Sequence, residues 1–206
     1  MSRLNYLGMK YHTDKAFDHK FCDFYEANLP KDVKTLFEVG ILDGASLNMW
    51  AEYYPDAEIV GFDIEDKSKL KLLPNCRTEL LDQGNLDMLK KVGERKGVDL
   101  IVDDGSHLIN HQIMTFETLF TSLRSGGKYI LEDLHTSTQF FPGYNYTNGK
   151  GALEYLYNLM QGYMPTSYPG QYRTNEIAPE IESVIMLSNF RNDSNGRSIT
   201  AIITRK

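Results

Sequence analysis

The chain has 206 residues, of which 41% are hydrophobic and 24% are charged, so it is long enough for one globular domain with a sizeable core. Its formal net charge of −6, from 22 basic and 28 acidic side chains, argues against a general nucleic-acid binder. No apolar run approaches the roughly 18 residues of a membrane span, and the first residues lack the apolar core of a signal peptide. The two cysteines, Cys22 and Cys76, are far apart in sequence. The composition therefore predicts a cytoplasmic protein that binds neither nucleic acid nor membrane.

Strand-like and helix-like segments alternate from residue 35 to residue 131. The predicted strands cover residues 35–39, 58–64, 77–81, 98–102 and 128–131, and the predicted helices cover residues 46–54, 85–96 and 110–123. This βαβ rhythm predicts a Rossmann-like α/β fold, in which helices cover both faces of a parallel sheet.

The pattern changes near the end of the chain. Two alternating strands, over residues 183–190 and 198–204, are joined by a short polar loop that contains Asn195-Gly196. This dipeptide is typical of a hairpin turn. The complete sheet is therefore expected to have seven strands and to be mostly parallel, with an antiparallel C-terminal strand.

The turn after the first predicted strand has the residues of a cofactor site. Gly40 and Gly44 allow a tight turn close to a ligand, and we expect Ser46 to cap the next helix. The spacing is not the Gly-x-Gly-x-x-Gly of a dinucleotide site, which argues against a nicotinamide cofactor. Glu38 would repel a phosphate but suits a cation, such as the ammonium group of an amino acid.

Acidic residues also follow the next two predicted strands. Asp63 ends the second strand, where it can accept hydrogen bonds from a ribose diol. Asp82 follows the third strand, at the expected adenine side. Recognition of a nucleoside and an ammonium group without a phosphate site indicates S-adenosylmethionine.

Two acidic clusters follow the fourth and fifth predicted strands. Asp103 and Asp104 come first, with His107 close behind, and Glu132 and Asp133 come second. Carboxylates that meet at one sheet edge repel one another unless a cation neutralises them, and oxygen ligands favour Mg²⁺, Mn²⁺ or Ca²⁺. His107 is a natural proton acceptor beside such a site.

Several motifs together resemble those of the metal-dependent sugar O-methyltransferases of macrolide biosynthesis, of the mycinamicin and macrocin type, a family related to the cephalosporin hydroxylase-like group. The motifs are Tyr11-His12-Thr13-Asp14-Lys15 with His19 and Tyr25, Glu38-Val39-Gly40 with Ser46 and Trp50, Val102-Asp103-Asp104-Gly105-Ser106-His107 with His111-Gln112, and Glu132-Asp133-Leu134-His135-Thr136-Ser137. The resemblance spans roughly residues 9–137.

The resemblance implies a class I methyltransferase fold that binds S-adenosylmethionine and Mg²⁺. It implies that Asp104, Glu132 and Asp133 hold the metal and that His107 is the catalytic base. The expected cofactor-binding residues are Thr13, Asp14, Lys15, Glu38, Gly40, Gly44, Ser46, Asp63, Asp82 and Asp103. We expect residues 1–206 to form a single domain, with residues 1–30 as an N-terminal helical lid and residues 138–180 as a substrate insertion.

The expected substrate is a small-molecule sugar or glycoside, whose identity the sequence leaves open. The aromatic, glycine-containing residues 140–146 form a second candidate lid. Whether the chain assembles as a homo-oligomer also stays open.

Two other functions remain open at this stage. Asp104, His107 and His111 have the composition of a two-histidine, one-carboxylate iron site, because His111 lies one helical turn after His107. That would make the protein a hydroxylase, but it leaves Glu132 and Asp133 without a role. The second alternative is a protein that binds S-adenosylmethionine without turning it over.

Overall fold

A single seven-stranded sheet carries the fold. The computed structural model describes residues 1–139, 142–144, 150–190 and 197–206. The strands are β1 (Thr35–Val39), β2 (Glu58–Asp63), β3 (Cys76–Leu80), β4 (Val98–Asp103), β5 (Leu123–Leu131), β6 (Ile181–Phe190) and β7 (Arg197–Arg205). Their order is β3-β2-β1-β4-β5-β7-β6. The first five strands run parallel, and β7 runs antiparallel to both β5 and β6, which confirms the predicted sheet.

Eight α-helices accompany the sheet in the described parts of the chain. They are α1 (Arg3–Tyr11), α2 (Asp14–Phe17), α3 (Cys22–Asn28), α4 (Ala45–Tyr53), α5 (Leu86–Gly93), α6 (Ile109–Leu119), α7 (Ala152–Met160) and α8 (Thr174–Ile177). Short 3-10 turns lie at Phe120–Ser122, Leu134–Ser137, Pro142–Tyr144 and Ala178–Glu180. None of the helices within these described residues is long and apolar enough to cross a membrane.

The boundary between α6 and β5 differs most from the prediction. The helix ends at Leu119 rather than at residue 123, and the strand begins at Leu123 rather than at residue 128. Ser125, Gly126 and Gly127 give no strand signal, since they lack apolar side chains. They become part of β5 because Leu123 pairs with Val98 of β4 across a register shift, so tertiary pairing outweighs local propensity.

Two hydrophobic clusters cover the two faces of the sheet. In β4, Leu100 and Val102 belong to one cluster and Ile101 belongs to the other. This alternation follows from the two-residue repeat of a β-strand, and burial on both faces explains the continuous apolar run in the sequence. Packing on both faces therefore fixes the parallel strands relative to one another, and the turns that follow them lie together at one edge of the sheet.

The N-terminal segment is part of the cluster that contains Leu100 and Val102. Leu4, Phe21 and Tyr25, from α1 to α3, are fully buried there with Trp50 of α4. The N-terminal segment is thus helical, as predicted, and it packs into the core. Its role as a lid stays a prediction.

The region between β5 and β6 is tied to α6 by one buried carboxylate. Glu117 accepts hydrogen bonds from the hydroxyl of Tyr155 at 2.7 Å and from the backbone amides of Tyr172 and Arg173, each at 2.7 Å. Most of the candidate lid over residues 140–146, and the hairpin loop with Asn195-Gly196, lie outside the described residues.

Candidate active site

A cavity of about 430 Å³ opens at the carboxyl ends of the parallel strands. This is the edge at which open α/β sheets bind ligands. Its lining includes Asp14, Gly40, Leu42, Asp63, Ile64, Asp82, Gln83, Asp104, Ser106, His107, His111 and Asp133. Four of the predicted cofactor residues are among them: Asp14, Gly40, Asp63 and Asp82.

A larger cavity of about 550 Å³ lies between α7 and β6. Among the described residues that line it, Glu182 is the one charged side chain, and the rest are mainly apolar, including Leu159 and Val184. Titratable groups do not converge there, so the smaller cavity is the better candidate for chemistry.

The turn after β1 explains the need for Gly40. Its φ is +81°, and a Cβ at this position would lie 2.1 Å from the backbone oxygen of Asp104. The turn after β1 therefore packs directly on the turn after β4. Gly44 also has a φ of +81° but lies against Leu72 and Leu70 rather than in the cavity.

Ser46 does not cap α4 as predicted. The helix begins at Ala45, and Gly44 occupies the capping position without a side-chain hydrogen bond. Ser46 is instead a buried residue of the first helical turn, beside the Glu38 carboxylate. The prediction missed this because Gly44, with its positive φ, starts the helix earlier.

Asp63 and Asp82 both line the cavity and also hold their own turns. Asp63 accepts hydrogen bonds from the amides of Ile41, at 3.2 Å, and Glu65, at 3.0 Å. Asp82 accepts one from the amide of Gly84 at 2.7 Å. Each carboxylate is thus fixed in position at the edge of the cavity, as a ligand contact requires.

Asp103 points away from the cavity. It is buried and accepts hydrogen bonds from Gln83 at 2.8 Å and from the hydroxyl of Tyr129 at 2.9 Å. Burial raises its pKa to about 7, although these two hydrogen bonds oppose the change. Gln83 also accepts a hydrogen bond from the amide of Ser106 at 2.8 Å. Gln83 and Asp103 therefore support the turn that carries Asp104, and sequence reasoning gave Gln83 no role.

Asp104, His107 and Asp133 converge at the cavity. Each offers one potential ligand atom, and these three atoms all lie within 4.8 Å of one another. His107 Nε2 lies 3.6 Å from Asp133 Oδ2. Both His107, at φ +57°, and Asp133, at φ +52°, adopt the left-handed backbone conformation, which residues other than glycine rarely adopt. Such strain is typical of functional sites, where the surrounding structure imposes the geometry.

Glu132 faces Lys15 instead of the cavity. The ammonium group of Lys15 lies 3.1 Å from Glu132 Oε1 and 3.6 Å from Glu38 Oε1, and it donates a hydrogen bond to Asp104 Oδ2. Lys15, Glu38 and Glu132 are almost completely buried. Burial raises the pKa of Glu132 well above its ordinary value and that of Glu38 to about 7, and in both cases the Lys15 charge opposes the change.

Two histidines that sequence reasoning left without a clear role surround Asp133. His19 Nδ1 and His135 Nδ1 each lie 3.7 Å from Asp133 Oδ1. His19 Nε2 also lies 3.6 Å from a carboxylate oxygen of Asp14, which lines the cavity. Thr13, beside Asp14, is buried and outside the cavity. The His19-containing motif in the N-terminal segment was the available signal for this contact.

The donor set fits a hard divalent cation. Glu132 Oε1 and Asp133 Oδ1 are buried but accept no hydrogen bond from the described residues. Carboxylate oxygens are the preferred ligands of Mg²⁺, and a cation would satisfy both atoms. Asp104, which converges with Asp133 and lies against the same lysine as Glu132, connects the two halves of the cluster.

The arrangement does not support the iron site. His111 Nδ1 lies 2.8 Å from Ser106 Oγ, and its other nitrogen faces Gly84. Among the described residues, the potential ligand cluster contains Asp104, His107 and Asp133 but not His111. The second histidine of the iron alternative is therefore directed toward the predicted adenine side.

The sheet order, its antiparallel β7 and the cavity at the strand ends define an α/β methyltransferase fold. No family model matches the chain. The mycinamicin methyltransferase MycE, solved with Mg, S-adenosylhomocysteine and mycinamycin VI, superimposes with a TM-score of 0.78 at 26% identity, covering 99% of this chain and 53% of that one. An O-methyltransferase from Bacillus cereus, solved with S-adenosylhomocysteine, shares the fold at a TM-score of 0.58 and 16% identity, covering 100% of this chain and 91% of that one.

Curated relatives give the same result. Mycinamicin VI 2''-O-methyltransferase of Micromonospora griseorubida is 30% identical over 94% of this chain and 54% of its own length. A tetracenomycin rhamnosyl 2'-O-methyltransferase of Streptomyces olivaceus is 31% identical over 80% of this chain and 47% of its own length. The chain therefore belongs to the family of sugar O-methyltransferases of macrolide and tetracenomycin pathways. It spans about half the length of these two curated relatives.

Proposed function

We propose that the chain is an S-adenosylmethionine-dependent, Mg²⁺-assisted O-methyltransferase that acts on a hydroxyl group of a sugar or glycosylated small molecule. The observation that carries this proposal is the convergence of Asp104, His107 and Asp133 at a cavity on the cofactor edge of a methyltransferase sheet. Two of its relatives are named as O-methyltransferases of a rhamnosyl tetracenomycin and of mycinamicin VI, which supports the acceptor class.

The cofactor is proposed to lie along the turns after β1, β2 and β3. Gly40 allows the close approach, Asp63 receives the ribose and Asp82 borders the adenine. Glu38 and Asp103 are assigned supporting roles, since both are buried behind the cavity wall.

Asp104, Glu132 and Asp133 are the proposed metal ligands. When bound, the metal polarises the acceptor hydroxyl and lowers its pKa. His107 then accepts the hydroxyl proton at Nε2, and the nearby Asp133 carboxylate, at 3.6 Å, stabilises the charged imidazolium that forms. The buried carboxylates and the strained turns hold these groups before the substrate arrives.

The acceptor side is proposed to be residues 138–180. Tyr144 places its ring 6.3 Å from the His107 ring, so an aromatic surface borders the base. The aromatic ring suits the apolar face of a sugar. The proposed partner is the small-molecule substrate, and contacts with nucleic acid or membrane form no part of the proposal. A homo-oligomer would be compatible with this function.

The test is methyl transfer from S-adenosylmethionine to a panel of glycosides. EDTA should abolish activity and Mg²⁺ should restore it without iron, oxygen or 2-oxoglutarate. Asp104→Ala should lose metal-dependent turnover while still binding S-adenosylhomocysteine. His107→Ala should bind both ligands yet lose roughly 10²-fold to 10⁴-fold in rate, the usual contribution of a positioned base.

His111→Ala is the matched control, because it removes a neighbouring cavity histidine outside the ligand cluster. Its rate should fall much less than that of His107→Ala. If His111→Ala abolishes metal binding while Glu132→Ala retains it, the carboxylate site is wrong and the iron alternative returns.

A further inference from the structure

The buried ammonium group of Lys15 has no task in the proposed methyl transfer. It comes from the short helix α2 and is fully buried. Its neighbours are Asp104 after β4, Glu132 after β5 and Glu38 near the end of β1. An isolated buried charge is very unfavourable, so this arrangement depends on the carboxylates that surround it.

One lysine does not neutralise this cluster. Three carboxyl groups surround a single ammonium group, so a divalent cation would add positive charge beside acids that outnumber their one cation. Of the three acids, Asp104 alone accepts a hydrogen bond from Lys15 among the described contacts. Glu132 Oε1 and both oxygens of Glu38 accept none from the described residues.

We propose that Lys15 is a positioning residue that holds Asp104 and Glu132 in the metal-free protein, and that its ammonium group transfers to Glu38 when a divalent cation binds those two carboxylates. This inference rests on the proposed function, because it takes Asp104 and Glu132 as metal ligands. Lysine and metal would then be alternative cations for the same two acids.

Glu38 provides the second position for the ammonium group. It is fully buried, its Oε1 lies 3.6 Å from Nζ, and Ser46 and Trp50 are its other polar neighbours. A shift toward Glu38 keeps the lysine charge paired and separates it from the incoming cation. Since two cations on the same carboxylates repel each other, the shift lowers the cost of metal binding.

The experiment is a calorimetric titration with Mg²⁺ alone, on the full chain and without methyl donor or acceptor. Lys15→Met keeps most of the apolar stem but removes the competing charge. It should bind Mg²⁺ about tenfold more tightly than the unmodified protein, the effect of removing one nearby like charge. In the metal-free state the same variant should unfold at a lower urea concentration, because the acids lose their counter-charge. Mg²⁺ should reverse that loss.

Lys10→Met is the matched control. It removes one positive charge from the same N-terminal segment, where Lys10 pairs with Glu52 at the surface, and it should leave Mg²⁺ affinity unchanged. A folded Lys15→Met protein with unchanged or weaker Mg²⁺ affinity would overturn the proposal while leaving the metal site itself intact. Absence of Mg²⁺ binding in both proteins would instead overturn the proposed function and this inference together.

Glu38→Gln gives a second test, which stands even if Lys15→Met does not fold. With its alternative partner weakened, Lys15 should remain on Asp104 and Glu132, so Mg²⁺ should bind several-fold more weakly. In the double variant with Lys15→Met, the Glu38→Gln change should have almost no effect. If Glu38→Gln weakens Mg²⁺ binding equally with and without Lys15→Met, the cause is the loss of the Glu38 charge alone. That result would contradict a shift of Lys15 to Glu38. If Lys15→Met does not fold, unchanged Mg²⁺ affinity in Glu38→Gln overturns the proposal.

Discussion

At the scale of single residues, Asp63 has a structural task and a proposed binding task. Asp63 fixes the turns after β1 and β2 through the amides of Ile41 and Glu65. It also lines the cavity in which the cofactor is proposed to bind. A substitution at this position must therefore be interpreted through both the stability of the fold and the affinity for ligand.

Asp63→Ala should weaken binding of S-adenosylhomocysteine by about 1 to 3 kcal/mol, the scale of losing hydrogen bonds to a charged group. Calorimetry on folded protein measures the effect directly. Asp66→Ala is the control, since this acid follows in the same loop, is exposed and bonds to the amide of Ser68. Equal affinity of the Asp63→Ala variant and the unmodified protein would remove Asp63 from the cofactor site.

At the scale of elements, the site depends on how firmly β4 is joined to its neighbours. Asp99 of β4 is buried and accepts hydrogen bonds from the amides of Lys34, at 2.8 Å, and Thr35, at 2.9 Å, at the start of β1. It also accepts one from Arg124 of β5. This side chain therefore joins three strands at the edge opposite the cavity.

Asp99→Ala should destabilise the protein by about 1 to 3 kcal/mol, because it removes the buried acceptor of two backbone amides and of the Arg124 side chain. Urea unfolding measures the difference. Asp32→Ala should change stability by less than about 1 kcal/mol, since Asp32 pairs with Lys34 in an exposed surface salt bridge. A similar loss for both variants would contradict the assigned role of Asp99.

The pH dependence of Asp99 has a definite sign. Burial raises its pKa, but the Arg124 and backbone hydrogen bonds outweigh burial and lower the pKa below 3.8. The ionised form is therefore favoured by folding, and the stability that it contributes is present above pH 3.8 and is lost as pH falls through the lower folded pKa. The stability difference between the unmodified protein and Asp99→Asn should accordingly shrink as the pH falls below that range.

At the scale of the whole molecule, ligand and fold should be coupled. The cavity is formed by residues at the ends of five parallel strands and by Asp14 of the N-terminal segment, so a bound cofactor would contact distant parts of the chain. S-adenosylhomocysteine at 100 times its Kd should raise the free energy of unfolding by about 2.7 kcal/mol, the value expected for a ligand that binds the folded state alone.

Urea unfolding with and without ligand measures this stabilisation. NAD⁺ at the same concentration is the control, because the glycine turn lacks the dinucleotide spacing. An equal shift with NAD⁺ would contradict the cofactor assignment.

The sequence by itself determined the sheet and the edge at which the site lies. Apolar runs such as Leu100-Ile101-Val102 indicate strands buried on both faces, and parallel strands present their carboxyl ends at one edge. The positions of Asp63, Asp82 and Asp104 followed from that rule alone. The α6 to β5 boundary did not, because the pairing of Leu123 with Val98 is a tertiary contact without a local signal.

Only the tertiary structure decided which acid faces which partner. Asp103, the last residue of β4, turns inward to Gln83 and Tyr129, whereas Asp104, the first residue after the strand, turns to Lys15. Lys15 lies 89 positions before Asp104 in the chain, and no local pattern encodes a contact at that separation. The ammonium group reaches the acids because α1 and α3 pack against α4 and carry α2 to the cluster, since burying the apolar side chains of those helices fixes where the lysine lies.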